Sequence, residues 1–231
     1  LTQCAKAGYD IVFAVGFLMR DALEEVARRF PDTRFALIDA DAPDLPNCVA
    51  YTFREQEGAF LVGALAALTS KSRTIGFVGG MEVPLIRKFE VGYQAGAAAV
   101  DPGVRVRVGY ANSFDDTQKG REIALLQMDS GADVIFHASG RTGLGVIKAV
   151  QGKGEGFYAI GVDRDQDDEA PGRVLTSMVK RVDTAVFEVC RRVREGGFQP
   201  GTIAQGVAEG ALGLSEMRFT KDGVPAGALA K

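Results

Sequence analysis

With one histidine, three cysteines and no long apolar run, the 231-residue chain has few routes to metal or membrane chemistry. His137 has no second histidine with which to share a zinc site, and Cys4, Cys48 and Cys190 show no metal-ligand spacing. Three cysteines leave one over in any disulfide scheme, so they read as buried small residues. No stretch approaches the roughly 18 apolar residues of a membrane-spanning helix. A basic excess is also missing. Net charge is −3, from 27 Lys and Arg against 30 Asp and Glu. The arginines are scattered among acids rather than set in a stripe with aromatics, which gives nucleic acid no purchase. There is no GxGxxG, GKGEG (152–156) lacks the Lys-Ser/Thr step of a phosphate loop, and GxSxG is absent. Dehydrogenase, NTPase and serine-hydrolase chemistry therefore have no support in the sequence.

What is present is alternation. An apolar share of 46% with 25% charged residues permits one large or two small cores. Short apolar runs end in small or acidic turns at IVFAVG (11–16), TIGFVGG (74–80), VIFHASG (134–140) and YAIGVD (158–163). Further strands are expected at 34–39, 48–53, 104–109 and 174–179, with helices at 20–30, 54–70, 86–99, 116–130, 143–151 and 182–195. This pattern predicts a doubly wound α/β architecture. About nine strands exceed one small sheet, which favours two lobes with a hinge near 50–54, 175–180 and 200–203. The opening LTQCAKAGY reads as the end of a helix running into a strand, so an upstream strand is expected to lie outside the chain.

In such folds ligands meet the carboxyl ends of the strands. Asp163 ends one of them and offers a carboxylate rather than a phosphate cradle. It can accept two hydrogen bonds from a ribose diol, or it can cap its own turn. Lys180 closes VLTSMV and can donate to a ligand heteroatom, although strand-end lysines commonly face solvent. Phe17 and Phe114 follow strands where helix packing demands no aromatic; they can line a cleft and sandwich a flat base, or fill a core. GRTGLG (140–145), beginning at Gly140, can hold an anion or a carbonyl-like oxygen, or form a tight turn capped by Thr142. His137 reads as a packed residue, and Asp115 and Asp116 as caps of the following helix.

These residues sit in motifs that together resemble one family: GYDIVFAVGFLM (8–19), FALID (35–39), TFREQEGAFLVGALAA (52–67), IGFVGGMEVPLIRKFEVGYQAG (75–96), NSFDDTQKG (112–120), VIFHASGRTGLGVIKA (134–149), AIGVDRDQ (159–166), TSMVKRVD (176–183) and VAEGALGLS (207–215). The chain resembles the basic membrane lipoproteins, purine nucleoside receptor-like solute-binding proteins of ABC importers. The resemblance implies a type I periplasmic-binding-protein fold, with two lobes joined by three crossovers. One lobe would hold 1–50 and 180–200, the other 54–175 and 203–231. It further implies capture of a nucleoside, a purine nucleoside foremost, with a flavin-like ring as the other option. Asp163 falls on the ribose-holding aspartate, Lys180 on the lysine after the SMV strand, Gly140 on the turn glycine and Phe114 on a base-facing ring. The family's opening DxGxxxDxSFN segment does not occur within this sequence. Implied partners are a permease and its ATPase, with no cofactor, no catalysis, a monomeric state and an extracytoplasmic, lipid-anchored or periplasmic setting. The alternative is a sensor or regulator on the same fold. A nucleoside hydrolase would need clustered aspartates at a calcium site.

Overall fold

The computed structural model describes residues 1–225. Two compact units form: Leu1–Arg54 with Arg181–Ala211, and Glu55–Lys180 with the tail from Leu212.

The first unit opens with α1 (Thr2–Lys6), β1 (Ile11–Val15), α2 (Arg20–Arg29), β2 (Arg34–Ile38) and β3 (Cys48–Phe53). It is completed by α7 (Val182–Arg194) and β9 (Gly201–Gln205). Its sheet is wholly parallel in the order β1-β2-β3-β9. β2 and β3 are buried almost throughout, as interior strands of a parallel sheet must be, whereas β1 alternates. Leu23, Val26 and Ala27 recur at helical spacing and bring α2 onto Phe35 and Leu37. Asn47 closes the corner by donating through Nδ2 to the carbonyls of Ala27, Phe30 and Thr33 at 2.9–3.1 Å.

The second unit holds α3 (Glu55–Thr69), β4 (Thr74–Gly79), α4 (Pro84–Val100), β5 (Arg105–Tyr110), α5 (Thr117–Asp129), β6 (Val134–Ala138), α6 (Thr142–Lys153), β7 (Tyr158–Asp163), β8 (Val174–Lys180) and β10 (Leu212–Leu214). The order is β10-β8-β7-β6-β4-β5, parallel except for β10, which runs antiparallel to β8. Pro84 starts α4 at a position where a missing N–H costs nothing. Asp116 caps α5 by accepting from the Lys119 N–H at 2.9 Å, as expected for that carboxylate. α3 and α4 pack backbone to backbone. A Cβ at Gly63, Gly92 or Gly96 would collide with the carbonyl of Tyr93, Gln56 or Phe60 on the facing helix.

Three expectations require correction. The chain passes between the units after Arg54, Lys180 and Ala211. The last passage is later than 200–203, because β9 pairs in register with β3 and so belongs to the first sheet rather than with 203–231 in the second lobe. The end of that range, 226–231, lies outside the described residues. Of the cysteines, only Cys48 is buried; Cys4 and Cys190 are exposed on helices, and all three are free thiols. Thr142 does not cap its own helix. Its hydroxyl instead donates to the Ser113 carbonyl at 3.0 Å and accepts from the Asp116 N–H at 2.9 Å.

Candidate functional site

Five parallel strands of the second unit end along one edge, and four of the five expected ligand residues lie on it. Lys180 ends β8, Asp163 ends the neighbouring β7, Gly140 follows β6, and Phe114 follows β5.

Asp163 and Lys180 are brought together. Lys180 Nζ lies 3.6 Å from Asp163 Oδ1, with the lysine side chain 5% and the aspartate side chain 55% exposed. The carboxylate is therefore anchored on one side and open to solvent on the other, leaving acceptor sites for incoming hydroxyls. Its backbone adopts φ +68°, a left-handed conformation that aspartate tolerates better than most residues. The Lys180 ammonium also stands 5.8 Å from the centroid of the Phe89 ring. Phe89 is the outermost ring of a buried group in which Phe136 touches Phe77, Phe89 and Tyr93 at centroid distances of 5.3–6.3 Å.

Phe114 and Gly140 also meet. A Cβ at Gly140 would lie 3.1 Å from the Phe114 carbonyl oxygen and 3.4 Å from its Cβ. That carbonyl accepts from the Thr142 N–H at 3.2 Å, which uses one of the amides the GRTGLG turn had to offer an anion. The Phe114 ring occupies the space above Gly80, where any side chain would collide with it. The half-buried ring lies against Gly80, the residue that follows β4. Phe17 belongs to the first unit, half-buried at the start of a single 3-10 turn, Phe17–Met19, immediately after β1.

His137 is fully buried, and burial pushes its pKa down to about 4 despite the opposing hydrogen bond with Gln166. Gln166 and Phe89 were not singled out in the sequence. Gln166 carries no local signal, being one more polar residue of an acidic loop. Phe89 is marked only as a core position of a helix. The acids of that loop gather on Arg218, whose guanidinium lies 3.1 Å from Asp168 and 3.7 Å from Asp165. Among the described residues no group of three His, Cys, Asp or Glu side chains is placed to hold a metal ion. A separate cleft of about 280 Å³, lined by Pro31, Asp32, Arg34, Pro46, Asn47 and Phe198, lies at the amino ends of the first sheet, away from its strand-end turns.

The chain is 40% identical to the CD4+ T-cell-stimulating antigen of Listeria monocytogenes over 94% of its own length. It is 35% identical to the ABC transporter nucleoside-binding protein BmpA of Lactococcus lactis over 86%. It spans 65% and 61% of the length of these two relatives. The crystal structure of an ABC transporter solute-binding protein from Aeropyrum pernix matches with a TM-score of 0.86 at 32% identity, covering 98% of this chain and 68% of that one. A transcriptional activator of the comK gene from Bacillus halodurans also reaches a TM-score of 0.86, at 21% identity, a likeness of fold alone. The architecture is that of the type I periplasmic-binding proteins, a fold and family of binding rather than catalytic proteins. The Bmp family model, described as ABC transporter substrate-binding protein PnrA-like, aligns with residues 1–222, and the chain belongs to that family.

Proposed function

We propose that the complete protein is the solute-binding receptor of an ABC importer and that its cargo is a nucleoside, with a purine nucleoside foremost. The carrying observation is the Asp163–Lys180 pair at adjoining strand ends, one carboxylate oxygen 3.6 Å from a nearly buried ammonium and the carboxylate half open. A vicinal diol donates two hydrogen bonds to a carboxylate and accepts one from an ammonium, which a phosphate would not do beside Asp163. Phe114, seated on Gly80, is assigned to the base, and Gly140 to close backbone approach. Support also comes from the Lactococcus lactis relative, a nucleoside-binding protein. In this reading the protein acts as an extracytoplasmic monomer, lipid-anchored or periplasmic, and hands its cargo to a permease with a cytoplasmic ATPase. Binding transmits the signal through differential affinity for two conformations, without chemistry.

The test is calorimetry on the complete protein after unfolding and refolding it to strip copurified ligand. Guanosine, inosine, adenosine, cytidine and riboflavin are titrated, and the stripped material is identified by mass spectrometry. Tight binding of intact nucleosides supports the reading and ranks the bases. A folded protein that binds none of the nucleosides overturns it.

A further inference from the structure

Beneath Asp163 lies a buried polar network that the ligand-facing residues do not use. Gln166, 6% exposed, sits three residues beyond it. Its Oε1 accepts from the Val162 N–H at 2.9 Å and lies 3.0 Å from His137 Nε2. An oxygen can only accept, so His137 carries its proton on Nε2. Nδ1 is then the acceptor facing the Ser139 hydroxyl at 3.5 Å. The same Gln166 donates its backbone N–H to Ser177 Oγ on β8 at 3.0 Å.

The position of these bonds gives them their meaning. The register of β7 with β6 ends at Ile160, opposite Phe136, yet β7 continues beside β8 to Asp163. Beyond Ile160, where β6 continues but no longer pairs with β7, the side chain of Gln166 takes the place of a ladder partner by capturing the Val162 amide. Room for this exists because residue 161 is glycine, where a Cβ would stand 2.6 Å from Gln166 Oε1 and 2.5 Å from Ser177 Oγ. The turn is thus clamped on both sides of Asp163: before it by the side chain of Gln166, after it by the backbone of the same residue. Asp163 holds φ +68° between these fixed points. A left-handed aspartate persists when its surroundings over-determine it.

We propose that Gln166 is the positioning residue for Asp163, presetting the carboxylate for a vicinal diol without touching the ligand. The inference rests on the nucleoside reading above and deepens it. Neutral His137 supplies the second hydrogen bond that fixes the Gln166 amide orientation.

The experiment compares the complete protein with Gln166→Met and Gln166→Glu, using a ribonucleoside and the 2′,3′-dideoxynucleoside of the same base. Met keeps the length of the side chain and removes the acceptor; Glu retains an acceptor for both donors. Q166M is expected to lose about tenfold in ribonucleoside affinity, near 1.4 kcal/mol, while its dideoxynucleoside affinity stays the same. Q166E is expected to recover most of the loss. Equal losses for both ligands in Q166M would show a general structural role and overturn the proposal. Amide exchange at Val162 in the unliganded protein supplies the independent readout, with faster exchange in Q166M expected and unchanged exchange overturning the clamp. If the unsubstituted protein binds neither ligand, the nucleoside reading fails and the exchange result alone decides the clamp.

Discussion

The Lys180 ammonium lies 5.8 Å from the centroid of Phe89 and 3.6 Å from a carboxylate oxygen of Asp163, so one charge joins the aromatic core of the second unit to its strand-end edge. Burying an ammonium to 5% exposure costs stability unless it is paired, and here a ring face and a carboxylate share the task. The arrangement predicts coupling between two residues that sequence reading would put in separate classes, one site and one core. In a cycle of Phe89→Leu and Lys180→Met, the two stability losses should fall short of additive by about 1 kcal/mol. Urea unfolding of the four proteins measures it, and additive losses would dissolve the link.

Asp163 makes its strongest prediction in binding rather than stability. Its side chain is 55% exposed, so most of its hydrogen-bonding capacity faces outward rather than into the fold. Asp163→Asn should weaken nucleoside binding about tenfold and Asp163→Ala about a hundredfold, the span of one to two charge-assisted hydrogen bonds. Both variants should remain folded, with a modest drop in unfolding midpoint because the nearly buried Lys180 ammonium loses its carboxylate. Calorimetric affinities unchanged in both variants would remove Asp163 from the site.

A single histidine makes the acid stability of this protein unusually easy to interpret. The pKa of His137 falls from an ordinary 6.5 to about 4 in the fold because burial disfavours its charged form. Its contribution is therefore complete above pH 6.5 and is lost as pH drops toward 4, since the unfolded chain binds the proton first. Between pH 6.5 and 5 the loss should be about 1.6 kcal/mol, a little under 1.36 kcal/mol per pH unit because the unfolded histidine is only half protonated at pH 6.5. His137→Gln removes the only histidine and should flatten that window. Denaturant titrations at half-unit pH steps on both proteins provide the comparison.

Two glycine-to-alanine changes should move stability in opposite directions. Gly63→Ala drives a methyl group into the Tyr93 carbonyl and should cost about 3 kcal/mol, toward the upper end of overpacking penalties. Gly152→Ala, exposed on α6 with no atom within 4 Å of the new methyl, should stabilise by about 0.5–1 kcal/mol through helix propensity. Thermal midpoints read both, and a stabilising Gly63→Ala would mean that the helices can separate freely.

The sequence showed nearly every element, because each strand and helix carries its own period. The apolar run of 134–138 and the stripe of Leu23, Val26 and Ala27 are local facts, and the structure keeps them in place. Sheet membership was less legible. β9 and β10 are six residues apart, both short and each containing a glycine, yet one pairs with β3 and the other with β8. Nothing within either segment records a partner more than a hundred residues earlier for β9. The site divides in the same way. Strand-end chemistry marked Asp163 and Lys180, but their supports come from distant chain segments. Gln166 is explained only by the gap left where the β6–β7 ladder ends, Phe89 only by the reach of Lys180, and the seat of Phe114 only by Gly80 at the end of another strand.

The backbone-to-backbone seam of α3 and α4 has a consequence for how variation in this protein should be interpreted. A saturation scan would find Gly63, Gly92 and Gly96 as intolerant as any ligand residue, because each faces a carbonyl with no room for a side chain. Intolerance alone would then draw the functional map in the wrong place. The two kinds of position separate only when abundance and ligand capture are scored side by side: seam substitutions should deplete the folded protein, whereas substitutions at Asp163 should leave it plentiful and empty.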